Sequence, residues 1–475
     1  MQEAGREECP VNVASAEILS AALGRSRCVD ALLFCGLLLI FLAFFGGDGG
    51  YLDVREYLDD AQRLWLKFDL RLTDNPPTYN RYALGLQIIS GPFVWAAHFL
   101  TMATGGAVRE RGLIAAIVPL LGAAACWMLF CWARALKSSV RVAFWSVLLF
   151  GMSSPLLTYT QFFYADVLVL ACVIAAMLCF RHGRMGGSQL WLFGAGLMAG
   201  WMPVSHVAAV PIAAGLGIGM ALVLLLDYGL TQKCLRPLLL LGAAPLGCAA
   251  LLLTMNYVRY GHPLRTGYAL AYGEFVPVLF LSRYVPENLG RMAVWLMRTP
   301  WLVLGLFSIL GCQFRWRKAA HRTTDRGEPT TDKRRLMLPI ILAVVSQTLF
   351  WLCYRDLHVT TYRYLLPLTA LFALGLPLVG QWLEQHWPQR GLQYTLALFL
   401  LTGFLGFMRD DGVRPFFVDA AGKLCCCAWY MASGRARDFG TPAGATQFVV
   451  LILMLAAAVT LLAVGWKRTA DEARV

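Results

Sequence analysis

Charge is scarce in this chain. Asp, Glu, Lys and Arg make up 15% of its 475 residues, where a soluble domain carries about 25%. Hydrophobic residues reach 58% and mean hydropathy is +0.60. Many apolar runs of about twenty residues exclude a soluble globular protein and point to a polytopic membrane protein. Metal-type cysteine spacing is missing too. The 14 cysteines form no CxxC pair and no Cys/His cluster. Most lie inside apolar runs (Cys126, Cys131, Cys172, Cys179, Cys248), where a thiol acts as a small hydrophobe. Cys425, Cys426 and Cys427 stand next to one another and are weak support for an extracytoplasmic disulfide. No glycine-rich nucleotide-phosphate loop follows a strand, and no internal repeat of the transporter kind is visible. Residues 1–28 lack the form of a cleaved signal peptide, because the next apolar run is too long and no small-residue cleavage site follows it.

The formal charge of +13 calls for no nucleic-acid partner. Lys and Arg gather in connectors, as cytoplasmic loops require, where they also meet anionic lipid headgroups. Arg25 and Arg27 precede the first span, 29–45, and place the N-terminus in the cytoplasm. In the loop after it, residues 53–68 carry Val54, Tyr57, Leu58, Ala61, Leu64, Trp65 and Phe68 at helical spacing. That pattern predicts a helix on the membrane surface. Residues 74–77, Asp-Asn-Pro-Pro, form a turn.

Residues 82–107 are apolar enough to cross, but charge argues otherwise. If this stretch stays at one face, five basic clusters fall on the cytoplasmic side: Arg134/Lys137/Arg141, Arg181/Arg184, Lys233/Arg236, 315–335 and Lys467/Arg468. We therefore read 82–103 as interfacial or re-entrant. Further spans are predicted at 112–134, 140–157, 164–180, 189–206, 208–227, 237–256, 298–314, 336–353, 362–382, 392–408 and 447–466. The expected fold is all-α and polytopic, with about twelve transmembrane helices and a juxtamembrane helix in the outer loop after the first. Residues 29–466 form one membrane domain between cytoplasmic tails at 1–28 and 467–475. Its long loops are 46–81 and 256–299 outside and 315–335 inside, the last solvated and partly disordered. Ser154-Pro155 and Met202-Pro203 mark span ends or kinks. Gly215, Gly217 and Gly219 serve close helix packing.

The first span ends at Gly46-Gly47-Asp48-Gly49-Gly50-Tyr51. A carboxylate where the chain leaves a membrane is costly unless it faces water or a partner, which makes Asp48 a functional candidate. A solvated, helix-ending Asp is the bland alternative. Asp166 stands likewise at the end of an apolar run. The outer stretches also carry basic–aromatic clusters: Tyr79-Asn80-Arg81-Tyr82, Tyr257-Val258-Arg259-Tyr260-Gly261-His262, Arg265-Thr266-Gly267-Tyr268 and Tyr362-Arg363-Tyr364. Carboxylates can serve as a general base or hold a sugar hydroxyl. Arg suits a phosphate at the membrane surface through paired hydrogen bonds. For any single Arg or Tyr, interfacial anchoring is the commoner role.

In order, four stretches resemble the GT-C glycosyltransferases, the group of bacterial lipid-sugar transferases and protein O-mannosyltransferases. They are GGDGGYLDVREYLDDAQRLWLKFDL, TYNRYALGLQIISGPFVW, SSPLLTYTQFFYADVLVL, and NYVRYGHPLRTGY with the later TTYRYLLPL. The resemblance implies a polyprenyl-phosphate-linked sugar donor, an acceptor that is a glycan, lipid or protein, and inverting transfer at the outer face. It implies Asp48 as catalytic base and Asp166 as the second catalytic acid, orienting acceptor or base. For the donor phosphate and lipid it suggests Arg259, Arg265, Arg363, Tyr260, Tyr268 and Tyr362. For sugar or acceptor it suggests Tyr51, Asp53, Tyr79, Arg81, His206 and His262. His206 is as readily a packed or interfacial histidine. The family often has a second acid directly after the first; Gly49 stands there, which argues against a divalent metal, and no cofactor is expected. The implied setting is a bacterial cytoplasmic membrane with the site on its periplasmic face.

Two other classes compete. A transporter or lipid flippase favours repeats and midplane charges. An O-antigen ligase or polymerase would depend on a large late outer loop instead of an acid after the first span.

Overall fold

The computed structural model describes residues 30–42, 45, 52–70, 83–106, 110–185, 188–267, 282–319, 330–354, 365–387, 395 and 397. Regular structure among them is helical. The helices are α1 (Asp30–Leu42), α2 (Leu52–Leu66), α3 (Gly85–Ile89), α4 (Gly91–Ala103), α5 (Glu110–Ala115), α6 (Ile117–Ala135), α7 (Val140–Met152), α8 (Pro155–Tyr159), α9 (Ala165–Arg184), α10 (Leu190–Ser205), α11 (Val210–Tyr228), α12 (Gln232–Tyr260), α13 (Val285–Arg298), α14 (Pro300–Ala319), α15 (Thr330–Cys353), α16 (Leu366–Ala373) and α17 (Leu376–His386). Six helical stretches are long and apolar enough to cross a membrane, and four shorter apolar helices accompany them. The chain is an integral membrane protein, all-α as expected. The expected spans at 392–408 and 447–466 lie outside the described residues.

Helix direction tests the reading of 82–103. Phe41, late in α1, packs at Gly122, early in α6, while Asp30 is in electrostatic reach of Cys131, late in α6. The two helices are therefore antiparallel, so the end of α1 and the start of α6 lie at the same end of the bundle. Between them in the chain, α3 has 5 residues and α4 has 13, with a break at Ser90. A 30 Å core needs about 20 helical residues. Neither α3 nor α4 alone is long enough for a full crossing.

All the described basic connectors meet at the other end, here called the basic end. Asp227, closing α11, pairs with Arg184 of α9 and Arg335 of α15. Arg134 donates to the Ser138 carbonyl at 2.6 Å, and Arg181 to that of Ala135. Gln381 donates to the Leu136 carbonyl at 2.9 Å and to Ser138 Oγ at 2.7 Å.

Some limits move. The span expected at 140–157 stops at Met152, where Ser153 and Ser154 break the helix. Ser154 Oγ accepts from Leu156 N–H at 3.0 Å, capping α8 with Pro155 in its first turn. Trp301 Nε1 donates to the Ser153 carbonyl at 3.1 Å, so the break is satisfied. The expected inner loop 315–335 is helical at both ends, up to Ala319 and from Thr330. The surface helix forms as α2, with Val54, Tyr57, Leu58, Ala61 and Leu64 buried. Phe68 lies beyond it and is exposed.

Lipid is as apolar as a side chain, so close packing and hydrogen bonds hold such helices together. A Cβ on Gly200 of α10 would come 2.7 Å from Pro245 Cα of α12, and one on Gly215 of α11 2.6 Å from Ala343 Cα of α15. Gly219 meets Pro339 in the same way, whereas Gly217 faces open space. Two of the three glycines therefore serve packing. Gln347 of α15 accepts from Ile212 N–H at 3.1 Å and donates to the Ala208 carbonyl at 3.2 Å. Both ends of its carboxamide are used where α11 begins.

Candidate active site

The end opposite the basic end collects α2, α3, α4, the first turn of α9 and the last turns of α10 and α12. Helix α12 shows how a charged group comes to be buried there. It lays one stripe on α10, Cys234, Pro237, Leu241, Ala244 and Cys248, and leaves most of its surface to lipid. The stripe resumes as Asn256, Arg259 and Tyr260. Arg259 is only 8% exposed. Its guanidinium carbon lies 4.9 Å from the centre of the Tyr260 ring, and a cation suits a helix C-terminus. Gly261 ends the helix at φ +69°, donating to the Tyr257 carbonyl at 2.8 Å. Asn256 Nδ2 donates to the Pro263 carbonyl at 3.1 Å, holding the following turn back against the helix.

That turn brings Thr266 and Gly267 over a pocket also lined by Asn256, Arg259, Tyr260, Leu84, Ile88 and Val204. Helix α3 forms the opposite wall. It is seated by Gly85, where a Cβ would come 2.6 Å from Ser205 Cα. Trp65 Nε1 of α2 donates to the Gln87 carbonyl at 2.8 Å. Helix α2 is pinned in turn by Gln62 Nε2 donating to Glu110 Oε1 at 2.9 Å and by the Asp59–Arg111 pair.

Asp60 is the unexpected member. It is 3% exposed on the inner side of α2. Burial pushes its carboxyl up to about 8 from 3.8, against the pull of Arg259 and Arg63 and with the push of Glu56 and Asp59. A carboxyl at that value is mostly neutral at pH 7.

Asp166 is buried in the first turn of α9, where the helix dipole favours a carboxylate. The segment before it is tied to α2 by the edge contact of Phe163 with Tyr57, at 6.5 Å. His206 is buried in the extended joint after α10, its N–H donating to the Met202 carbonyl at 2.9 Å. Arg259, Tyr260, Asp166 and His206 thus lie at one end of the bundle, the first two in the pocket wall. His262 and Arg265 are exposed in the turn beyond α12 and do not line the pocket. Asp53 falls in the first turn of α2. Asp48, Tyr51, Tyr79, Arg81, Tyr268, Tyr362 and Arg363 lie outside the described residues.

Sequence reasoning missed Asp60, Gln87 and Asn256. A signal existed for Asp60, which stands three residues after Tyr57 and four before Leu64, inside the apolar stripe.

No protein-family model matches this chain, and no curated protein matches its sequence. Among solved structures it is similar to ArnT from Cupriavidus metallidurans. Against the apo state the TM-score is 0.54 at 13% identity, covering 93% of this chain and 72% of that one. Against ArnT bound to undecaprenyl phosphate the TM-score is 0.53 at 13% identity, covering 91% and 72%. The archaeal oligosaccharyltransferase AglB from Archaeoglobus fulgidus, in complex with an inhibitory peptide and a dolichol-phosphate, gives 0.46 at 12% identity, covering 88% and 59%. The likeness to ArnT is one of fold: this chain has the GT-C-type membrane architecture that its sequence resembles.

Proposed function

We propose that this protein transfers a sugar from a polyprenyl-phosphate-linked donor to an acceptor hydroxyl at the extracytoplasmic face of a bacterial cytoplasmic membrane. The observation that carries the reading is the pocket walled by Arg259, at the bundle end that also bears Asp166. The fold's likeness to a protein crystallised with undecaprenyl phosphate supports the donor class.

In this reading Asp48 takes the proton of the acceptor hydroxyl as its oxygen attacks the anomeric carbon. The carbon–oxygen bond to phosphate breaks on the far side, its electron pair leaves with the phosphate, and the anomeric centre inverts. Asp166 orients acceptor or base. Arg259 offsets the charge growing on the phosphate. Arg363, Arg265, Tyr260, Tyr268 and Tyr362 complete the lipid-phosphate side, and Tyr51, Asp53, Tyr79, Arg81, His206 and His262 the sugar and acceptor side. Neither a cofactor nor a metal is invoked.

The test is transfer activity in membranes from a mixture of polyprenyl-phosphate sugars, comparing wild type with Asp48→Asn and Asp166→Asn at equal folded amounts. Loss of transfer in a normally folded Asp48→Asn protein is expected. Unchanged transfer would remove Asp48 from the mechanism. No transfer by wild type from any donor would favour a transporter or flippase instead.

A further inference from the structure

Gln87 is fully buried, yet among the described residues neither Oε1 nor Nε2 of its carboxamide has a hydrogen-bond partner. Its backbone is engaged: the carbonyl accepts from Trp65 Nε1 and Ser90 Oγ, both at 2.8 Å. The residue is held in place while its polar group is left unused. Leu84, one turn earlier, and Ile88, the next residue along, line the Arg259 pocket, so Gln87 sits just behind its wall. Helix α3 also touches α9, whose first turn carries Asp166. In α8 and the connector that follows it, Thr158 Oγ1 and Gln161 Oε1 are likewise buried without partners among the described residues. Gln347, a buried glutamine elsewhere in the bundle, uses both ends of its carboxamide.

A buried polar group without a partner destabilises a fold, and replacing it by an apolar group of similar shape is neutral or better. Gln87 stands apart among the described residues in leaving both ends of a carboxamide unpartnered, and a ligand at the neighbouring pocket would complete them. The carboxamide presents a donor and an acceptor side by side. A sugar hydroxyl both accepts and donates, so neighbouring hydroxyls match the two ends. A phosphate diester offers no proton to Oε1, and a prenyl tail offers neither partner.

We infer that Gln87 binds hydroxyls of the transferred sugar, a role that rests on the glycosyl-transfer reading above. The experiment is thermal unfolding of the detergent-solubilised protein, alone, with polyprenyl phosphate, and with a mixture of polyprenyl-phosphate hexoses and pentoses. Wild type gains stability with polyprenyl phosphate and gains more with the sugar-bearing lipids. Gln87→Leu, with Gln87→Met as a second isostere, unfolds at or above the wild-type temperature without ligand. Both variants keep the polyprenyl-phosphate gain, lose the added sugar gain, and raise the KM for donor about fivefold to tenfold, as for one lost hydrogen bond. Two outcomes would overturn the inference and leave the function standing. One is variants that keep the full sugar gain, whether or not they unfold earlier, as for a carboxamide that holds only water. The other is variants that lose both gains. A wild type stabilised by neither lipid would overturn the function and the inference together.

Discussion

The two ends of the bundle treat buried polar groups differently. At the basic end Asp227 is 15% exposed and bound by two arginines, Arg184 and Arg335, from two other helices. At the opposite end Asp60 is buried so deeply that its carboxyl is held largely neutral at pH 7. Among the described residues, Gln87 leaves both polar atoms of its carboxamide without partners there, whereas Gln189 at the basic end leaves only its Oε1 so. One end spends its charges on joining α9, α11 and α15. The other keeps polar groups in reserve beside a pocket. Stability and ligand binding are therefore expected to respond to mutations at opposite ends of the molecule.

The largest effect should come from breaking the joined end. Asp227→Ala leaves Arg184, 10% exposed, without its carboxylate. Removing one partner of a buried pair destabilises by about 3 kcal/mol. Thermal unfolding in detergent should show that loss, with transfer per folded molecule unchanged. At the pocket end, Arg259→Ala should lower kcat/KM about thirtyfold to one hundredfold, as for a lost charged hydrogen bond of about 2–3 kcal/mol. Arg259→Lys should recover part of this, keeping the charge but not the paired donors. Kinetics at equal folded amounts separate this loss from any change in stability. A smaller change sharpens the contrast between two buried glutamines. Gln347→Leu strands the Ile212 N–H and the Ala208 carbonyl and should destabilise by about 1–2 kcal/mol. The same substitution at Gln87 should not destabilise at all.

Hydropathy and charge made most of the membrane architecture legible. That Arg184 and Arg335 meet at one end of the bundle follows from where Lys and Arg gather, because the cost of moving such charges across lipid applies whatever the fold. Helix ends were less legible. Apolar length reports the thickness of the bilayer, and α12 simply continues beyond it through Arg259 and Tyr260, residues that read as loop. The break at Ser153 was hidden because its free carbonyl is met by Trp301, 148 positions away in sequence. Gln87 was passed over for a similar reason. One amide in an apolar run reads as tolerated, and only packing reveals whether it finds a partner. Asp60 was legible in principle, as an acid inside an apolar stripe, but acids in a surface helix are ordinarily solvated.

The last expected effect concerns Asp60, shows as a dependence on pH, and separates the two ends by it. Its folded value, about 8, lies above the ordinary 3.8. Between those values the folded chain carries one proton more than the unfolded chain. The contribution of Asp60 is thus most favourable below about 4, falls as pH rises, and levels off above about 8. Asp60→Asn should remove that slope, so the variant gains on wild type as pH rises from 5 to 9 in thermal unfolding. Function should follow the same group. Above pH 8 the ionised carboxylate competes with donor phosphate for Arg259, while Glu56 and Asp59 add repulsion and Arg63 offsets part of it. The KM for donor should rise on the alkaline side in wild type and stay flat in Asp60→Asn. Equal alkaline limbs in the two proteins would separate Asp60 from the pocket and leave it a buried acid of α2 alone.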